Sequence, residues 1–259
     1  KMLLDSFAYN NGLKNVHPVE KLIFSLLTMV IGFIPSIYSS GLIISIMATA
    51  VIIKGGVSPK IYLRLMILPL VFLGMSILPI LISTGVSADC SLLHFPFFKT
   101  TVGITYNSLK KSGFLCIRSM ALVSCLYFIS LTTPILDMIA MLKKLKVPDI
   151  LIDLMLLIYR QLFVIMNTAA RIYVAQNSRL GYGTFTSGLN SLGRLVSYLI
   201  VQSFSNAERL YTALVSRGYE GNLRVLERNY QLSIKNITLI MSIDTALLVI
   251  ALKTGGAIK

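Results

Sequence analysis

From Leu22 to Ile53 the chain carries no charged side chain. As one helix that run would be about 48 Å long, whereas the hydrocarbon core of a bilayer is only about 30 Å thick. It therefore reads as membrane-embedded and interrupted. Pro35 and the polar stretch 36–41 supply the interruption, because proline ends a helix and small polar residues favour a turn. Two short spans, about 20–35 and 38–54, follow as a hairpin. Lys14 and Lys21 then share a side with Lys54, Lys60 and Arg64, and an excess of Lys and Arg marks the cytoplasmic side.

The remaining sequence extends this pattern. Hydrophobic residues make up 55% and charged residues 13%, against about 25% charged in a soluble domain, and the mean hydropathy is +0.78. A third span is expected at about 61–83, with Pro69 and Pro79 inside it; membrane helices tolerate proline where neighbours re-satisfy the backbone. Residues 84–112 read as an irregular external connection, with His94-Phe-Pro-Phe-Phe98 as an interfacial aromatic segment. A fourth span, about 113–131, ends at Thr132-Thr133-Pro134. This arrangement places Lys110 and Lys111 outside, against the charge rule.

Four spans return the chain to the inside. Between 135 and 235 lie Lys143, Lys144, Lys146, Arg160, Arg171, Arg179, Arg194, Arg209, Arg217, Arg224, Arg228 and Lys235, twelve of the 24 basic residues. Within that region 150–166 is apolar enough to enter the membrane, but a full crossing would divide the basic charge between both faces. It reads as a helix packed beneath the spans. A last span, about 236–252, leaves the C-terminus outside. The expected fold is an all-α membrane protein with about five transmembrane helices: N-terminal membrane helices over 1–134, cytoplasmic coupling helices over 135–235, and a final membrane helix over 236–259. Residues 3–20 lack the apolar core of a cleavable signal peptide.

Several functions are disfavoured by what the residues do not form. The net charge of +14 fits basic cytoplasmic loops better than nucleic-acid binding, since neither a long basic run nor clustered aromatics accompany it. No G-x-x-x-x-G-K-[ST] occurs, so ATP hydrolysis is not expected of this chain. His17 and His94 have no paired-ligand spacing, and no metal or cofactor site is legible; His17, beside Pro18, reads as part of a packed helix start. Cys90, Cys116 and Cys125 read as free thiols, mostly buried. Ten acidic residues, unclustered in any span, do not build the metal–phosphate site of a phospholipid-forming transferase, and the spans offer no ring of polar residues for a channel. Arg118, Arg160 and Asp244 lie in apolar segments, where a charge is a functional candidate by default and snorkelling or structural pairing is the competing reading.

The strongest functional signal is internal. Ala169-Ala-Arg-Ile-Tyr-Val-Ala-Gln-Asn-Ser-Arg179 and Ala207-Glu-Arg-Leu-Tyr-Thr-Ala-Leu-Val-Ser-Arg217 align with identities at Ala169/Ala207, Arg171/Arg209, Tyr173/Tyr211, Ala175/Ala213, Ser178/Ser216 and Arg179/Arg217. A Gly-Tyr pair follows each, Gly181-Tyr182 and Gly218-Tyr219, with Leu180 as one extra residue in the first copy. Each copy reads as a short helix with a glycine closing it in the left-handed region and an Arg in its last turn, where the helix dipole favours a cation. An Arg held there can fork onto a carboxylate. Two like knobs suit two like sockets, such as a dimer of cytoplasmic subunits.

At these residues the chain resembles the transmembrane components of energy-coupling factor transporters, and more closely the CbiQ family of cobalt uptake. Asp5-Ser-Phe-Ala-Tyr9, Lys14-Asn-Val-His17-Pro18-Val-Glu-Lys21, Thr132-Thr133-Pro134 and Tyr159-Arg160 resemble the family pattern, and the resemblance spans essentially the whole chain. The family's paired coupling motifs commonly read Ala-Arg-Gly; here Ser178 and Ser216 replace the alanine and Leu180 the first glycine. The resemblance implies a non-catalytic subunit between a CbiO-like ATPase dimer and a CbiM-like substrate-binding membrane subunit assisted by a small CbiN-like one. Ala175, Ser178, Arg179, Gly181, Ala213, Ser216, Arg217 and Gly218 would then bind the ATPase partner. Nickel or a vitamin is the alternative substrate class.

Overall fold

The computed structural model describes residues 7–9, 11–81, 83–84, 91–97, 100–219 and 233–255. Asp5, Ser6, Cys90, Phe98, Arg224 and Arg228, named above, lie outside the described residues. The chain divides into two compact units, residues 1–138 with 229–259, and residues 139–228.

The first unit is a helical bundle. Helix α1 is Pro18–Gly32 and α2 is Ile37–Thr49, whose last turn widens to a π-helical turn over Ala50–Lys54. Helix α3 is Pro59–Leu81, α4 is Tyr106–Thr132 and α8 is Ile234–Gly255. Pro18 opens α1, where its missing N–H costs nothing, and His17 Nδ1 accepts from Val19 N at 3.1 Å. His17 therefore caps the start of α1, as its place beside Pro18 predicts. The break after α1 falls where the sequence put it, with Ser36 capping α2 through Ser39 N at 3.3 Å.

Among the described residues, four segments are long and apolar enough to cross a membrane: Ile37–Lys54, Pro59–Ile77, Ser108–Thr132 and Ile234–Thr254. They match four of the five expected spans. The fifth, α1, has 15 residues and is about 22 Å long, short for a ~30 Å core. It is nonetheless built into the bundle, with Phe24 and Ile31 among the buried residues. Arg118, on α4, donates to Phe33 O at 2.6 Å and lies 5.5 Å from the Phe33 ring centroid. A guanidinium at the end of α1 satisfies a carbonyl that a short helix leaves without an intrahelical partner, so Arg118 has a structural pairing.

Packing follows the rules of membrane helices, where small residues allow close approach. Ser25, Thr28, Ala121, Cys125 and Ala251 are almost wholly inaccessible, Ser25 Oγ donates to Cys125 O at 2.9 Å, and Phe24 and Phe128 meet edge to face at 5.5 Å. Pro69 deprives Leu65 O of its usual α3 donor. Tyr127 OH, from α4, donates to that carbonyl at 3.1 Å. Cys125 is a buried free thiol, and Cys116 is only part-buried.

The expected irregular connection is a correction. Strands β1 (Ser83–Thr84), β2 (Ser91–Phe97) and β3 (Thr100–Thr105) form an antiparallel sheet in the order β1-β3-β2. The central strand reads Thr-Thr-Val-Gly-Ile-Thr, and β-branched residues favour the pleated conformation. Pro96 sits on β2, an edge strand, where a missing donor is tolerated. With no loop left to fill 106–112, α4 starts at Tyr106, earlier than the expected 113. Among the described residues the architecture is thus helical, with this small sheet added.

The second unit contains the end of α5 (Ile135–Lys144), α6 (Asp149–Ser178) and α7 (Phe185–Val215). The two repeat copies are not short helices. Each is the last stretch of a helix of 30 or 31 residues. No Gly or Pro interrupts 149–178, so the apolar stretch 150–166 and the first copy are one element of about 45 Å. Thr184 starts α7 by accepting from Ser187 N at 3.3 Å.

Candidate functional site

The two repeat copies end in one geometry. In the first, Arg179 N bonds Gln176 O at 3.1 Å, Leu180 N bonds Asn177 O at 3.0 Å, and Gly181 N reaches back to Gln176 O at 2.9 Å. In the second, Arg217 N bonds Leu214 O at 3.0 Å, Gly218 N bonds Val215 O at 3.0 Å, and Tyr219 N reaches Leu214 O at 3.1 Å. This pairing of a long and a short return bond is the Schellman closure, which requires a left-handed residue after the last helical one. Leu180 has φ 57° and Gly218 has φ 73°. Ser178 Oγ donates to Val174 O at 2.9 Å and Ser216 Oγ to Thr212 O at 2.8 Å, so even the serine before each Arg takes the same hydrogen bond.

Leu180 is therefore not an inserted residue. It fills in the first tip the left-handed position that Gly218 fills in the second, and Gly181 corresponds to Tyr219. The pairing of Gly181 with Gly218 expected from the sequence is corrected: the two Gly-Tyr pairs are one place out of phase. A left-handed conformation costs a residue with a Cβ about 1–2 kcal/mol, and Leu180 is 80% exposed, so no burial of its side chain offsets this. Leu180→Gly is expected to raise the stability of the second unit by up to about 1 kcal/mol, because greater unfolded-chain freedom takes back part of the relief. Thermal unfolding of the purified variant reads this directly.

Gly181 has a different duty. A Cβ there would lie 2.8 Å from Gln176 O and 2.8 Å from Ser191 Oγ. Its carbonyl accepts from Ser187 Oγ at 2.9 Å and Ser191 Oγ at 2.8 Å, Gln176 Nε2 donates to Ser191 O at 3.0 Å, and Tyr182 OH donates to Gln176 Oε1 at 2.8 Å. Tyr173 and Tyr182 pack at 4.8 Å. The first tip is thereby fastened to the start of α7. Gly181→Val should cost about 1–3 kcal/mol, the usual price of overpacking, and should loosen this turn in hydrogen exchange while leaving the second tip unchanged.

The side chains at the tips face outward: Ala175, Ser178, Arg179, Ala213, Ser216, Arg217 and Gly218 are exposed, and Gly181 is half-buried. Small residues precede each Arg, so a docking surface could approach the helix backbone while the guanidinium reaches beyond it. Arg160, on α6, is exposed as well.

A second polar constellation lies in the bundle, at the end where α1 begins. Glu20, 3% exposed, accepts from Ser233 N at 2.9 Å through Oε1 and from Asn236 Nδ2 at 3.1 Å through Oε2. These donors stand at the N-terminus of α8. Its neighbour Lys21, 4% exposed, donates to Thr132 O at 2.9 Å, and Asn11 Nδ2 donates to Leu131 O at 3.0 Å. These carbonyls end α4. Adjacent residues of opposite charge thus serve two helix ends of opposite polarity, the anion at an N-terminus and the cation at a C-terminus, as the helix dipole favours.

The family model described as CbiQ, cobalt transport protein, matches residues 10–227. The chain belongs to that family. It is 34% identical over 226 residues to a fused cobalt transport protein CbiMQ from Methanocorpusculum labreanum, covering 87% of this chain and 38% of that one. It is 30% identical to an uncharacterised protein of Methanocaldococcus jannaschii, over 97% of this chain and 93% of the relative. It is 24% identical to the cobalt transport protein CbiQ of Salmonella typhimurium, over 86% and 99%. The chain thus spans well under half of the fused relative and nearly all of the other two. With four apolar helices able to span a bilayer, this CbiQ-family chain is a multi-pass membrane protein.

The helix tips are marked in the sequence by the repeat; the Glu20–Lys21 clamp is not. His17-Pro18-Val-Glu20-Lys21 and Thr132-Thr133-Pro134 were visible as family-like stretches without a role. The structure joins them, because Lys21 closes the helix that Thr132 ends. The one signal that could have pointed there was Glu20-Lys21 at the edge of an uncharged run, where charges need partners. Asp244, on α8, is buried, and neither of its oxygens has a hydrogen-bond partner among the described residues. No group of three His, Cys, Asp or Glu among the described residues could hold a metal ion.

Proposed function

We propose that this chain is the transmembrane coupling subunit of an energy-coupling-factor importer for cobalt. ATP-driven closing of a CbiO-like ATPase homodimer moves the Arg179 and Arg217 tips, and the chain passes that motion to a CbiM-like substrate-binding membrane subunit assisted by a CbiN-like one. The observation that carries the reading is the duplicated tip: two helices that end in the same hydrogen bonds, with an exposed Arg at the same place in each. Two equivalent ends are what a two-fold symmetric partner requires. The fused relative, whose name joins CbiM to CbiQ, supports a CbiM-like neighbour. Catalysis is assigned to the ATPase, not to this chain. Cobalt is preferred to nickel or a vitamin because the family and two of the three relatives above are described by cobalt.

Uptake of radioactive cobalt by cells expressing all four subunits tests this. Uptake should fall to background when this chain alone is omitted, and competition by unlabelled cobalt should exceed that by nickel. Undiminished uptake without the chain would refute the coupling role; stronger competition by nickel would reassign the substrate and leave the role standing.

A further inference from the structure

The bundle contains a cavity of about 400 Å³, within the range of small-molecule sites. Every wall comes from one end of the bundle: Leu13, Val16 and the first half of α1, the second half of α2, Phe128 near the end of α4, and the first half of α8. Ser45, Thr49 and Ile53 lie along one stripe of α2 and are exposed, as is Leu239 on α8, so the cavity opens on the outer surface of the bundle between those helices. The stripe from Ser45 to Ile53 is about 12 Å long and runs along a membrane span.

The chemistry changes along its length. Ser45 Oγ donates to Gly41 O at 3.1 Å and Thr49 Oγ1 to Ser45 O at 2.7 Å, so both hydroxyls are spent on their own helix and ask nothing of a ligand. Phe24, Ile46, Phe128, Ile240 and Ile243 complete an apolar interior. Charge gathers at the end, with Glu20, Lys21 and Lys54. Glu20 is held by Ser233 and Asn236, and Lys21 by Thr132. Lys54 ends its span, is exposed, and has no ion-pair partner among the described residues. A slot that is apolar within the span and carries an unengaged cation at the membrane–water boundary matches one kind of molecule in its surroundings.

We propose that this cavity is a binding site for an anionic phospholipid of the leaflet on the Lys54 side, with an acyl chain along the Ser45–Ile53 stripe and the phosphate at Lys54. Basic pockets between spans on the cytoplasmic side bind lipid headgroups by this logic. The bound lipid would fill a groove beside the Glu20–Lys21 clamp, so that membrane composition bears on the stability of the bundle. The inference is independent of the cargo and of the coupling role.

The test takes the full chain from vesicles of equal phosphatidylglycerol and phosphatidylcholine into mild detergent and counts retained phospholipid by native mass spectrometry. The wild type should retain one phosphatidylglycerol, preferred about fivefold over phosphatidylcholine, the selectivity expected of one lysine near a headgroup. Lys54→Gln, an exposed change that leaves the packing alone, should abolish the preference and keep some lipid of both kinds. Ile46→Trp, which fills the interior, should lose the retained lipid altogether. Equal retention of the two lipids by the wild type, or an unchanged preference in Lys54→Gln, would overturn the assignment of the headgroup. Unchanged retention in a folded Ile46→Trp would overturn the site, as would release of the lipid on adding a CbiM-like partner, which would make the slot a docking surface for a helix.

Discussion

Replacing Arg179 and Arg217 together with alanine should abolish co-purification of the CbiO-like ATPase and reduce cobalt uptake to background. Both side chains are exposed, and the helix ends that carry them are closed by backbone bonds the substitution does not touch. Folding should therefore survive, and thermal unfolding of the isolated chain should be unchanged within about 0.5 kcal/mol, as for surface positions generally. Losing one partner of a desolvated charge pair at an interface costs about 2–5 kcal/mol, so two such losses exceed what most subunit contacts can absorb. Each single change should be milder than the double one. Arg179→Lys with Arg217→Lys should fall between, since lysine keeps the charge and loses the fork. Wild-type recovery of the ATPase by the double alanine variant would remove the tips from the interface.

The tips were legible because a repeated eleven-residue pattern survives any error in placing helix boundaries. Their phase was not. Matching glycine to glycine gave Leu180 the part of an insertion, whereas the backbone places the left-handed residue directly after each Arg, whichever residue occupies that place. Sequence identity tracked side chains, and the closure of a helix is set by φ and by which N–H returns to which carbonyl. The same limit explains the short-helix reading: the repeat is short, while the helices that carry it continue upstream because nothing in 149–178 stops them.

In the bundle, apolar length placed four spans, and Pro35 with the polar stretch 36–41 marked the break that the structure sets at 33–36. The strands left a weaker mark: His94-Phe-Pro-Phe-Phe98 is aromatic and holds a proline, while the β-branched residues of Thr100–Thr105 carry the sheet. Contacts between distant segments left weaker marks. Tyr127 satisfying the carbonyl freed by Pro69, and Arg118 meeting the end of α1, are each one polar residue facing one orphaned backbone group. A sequence shows the residue and the proline but not that they meet.

The second large effect is expected at Glu20. Glu20→Ala removes two hydrogen bonds to a buried carboxylate, each worth about 1.5–3 kcal/mol, and strips the anion from the start of α8. A loss of roughly 3 kcal/mol is expected, read as a fall of about 6–12 °C in the unfolding temperature of the detergent-purified chain. Glu20→Gln should lose less, because an amide oxygen still accepts from Ser233 N. The decisive variant exchanges the two charges, Glu20→Lys with Lys21→Glu. Were the residues stabilising chiefly as neighbours of opposite sign, the exchange would preserve that relation and restore most of the loss. The geometry demands the opposite. The exchange would point a cation at the N–H groups that open α8 and an anion at the carbonyls that close α4, each against the helix dipole and each without its hydrogen bond. The double exchange should therefore be less stable than Glu20→Ala. Rescue by the exchange would show that these charges serve each other rather than the two helix ends.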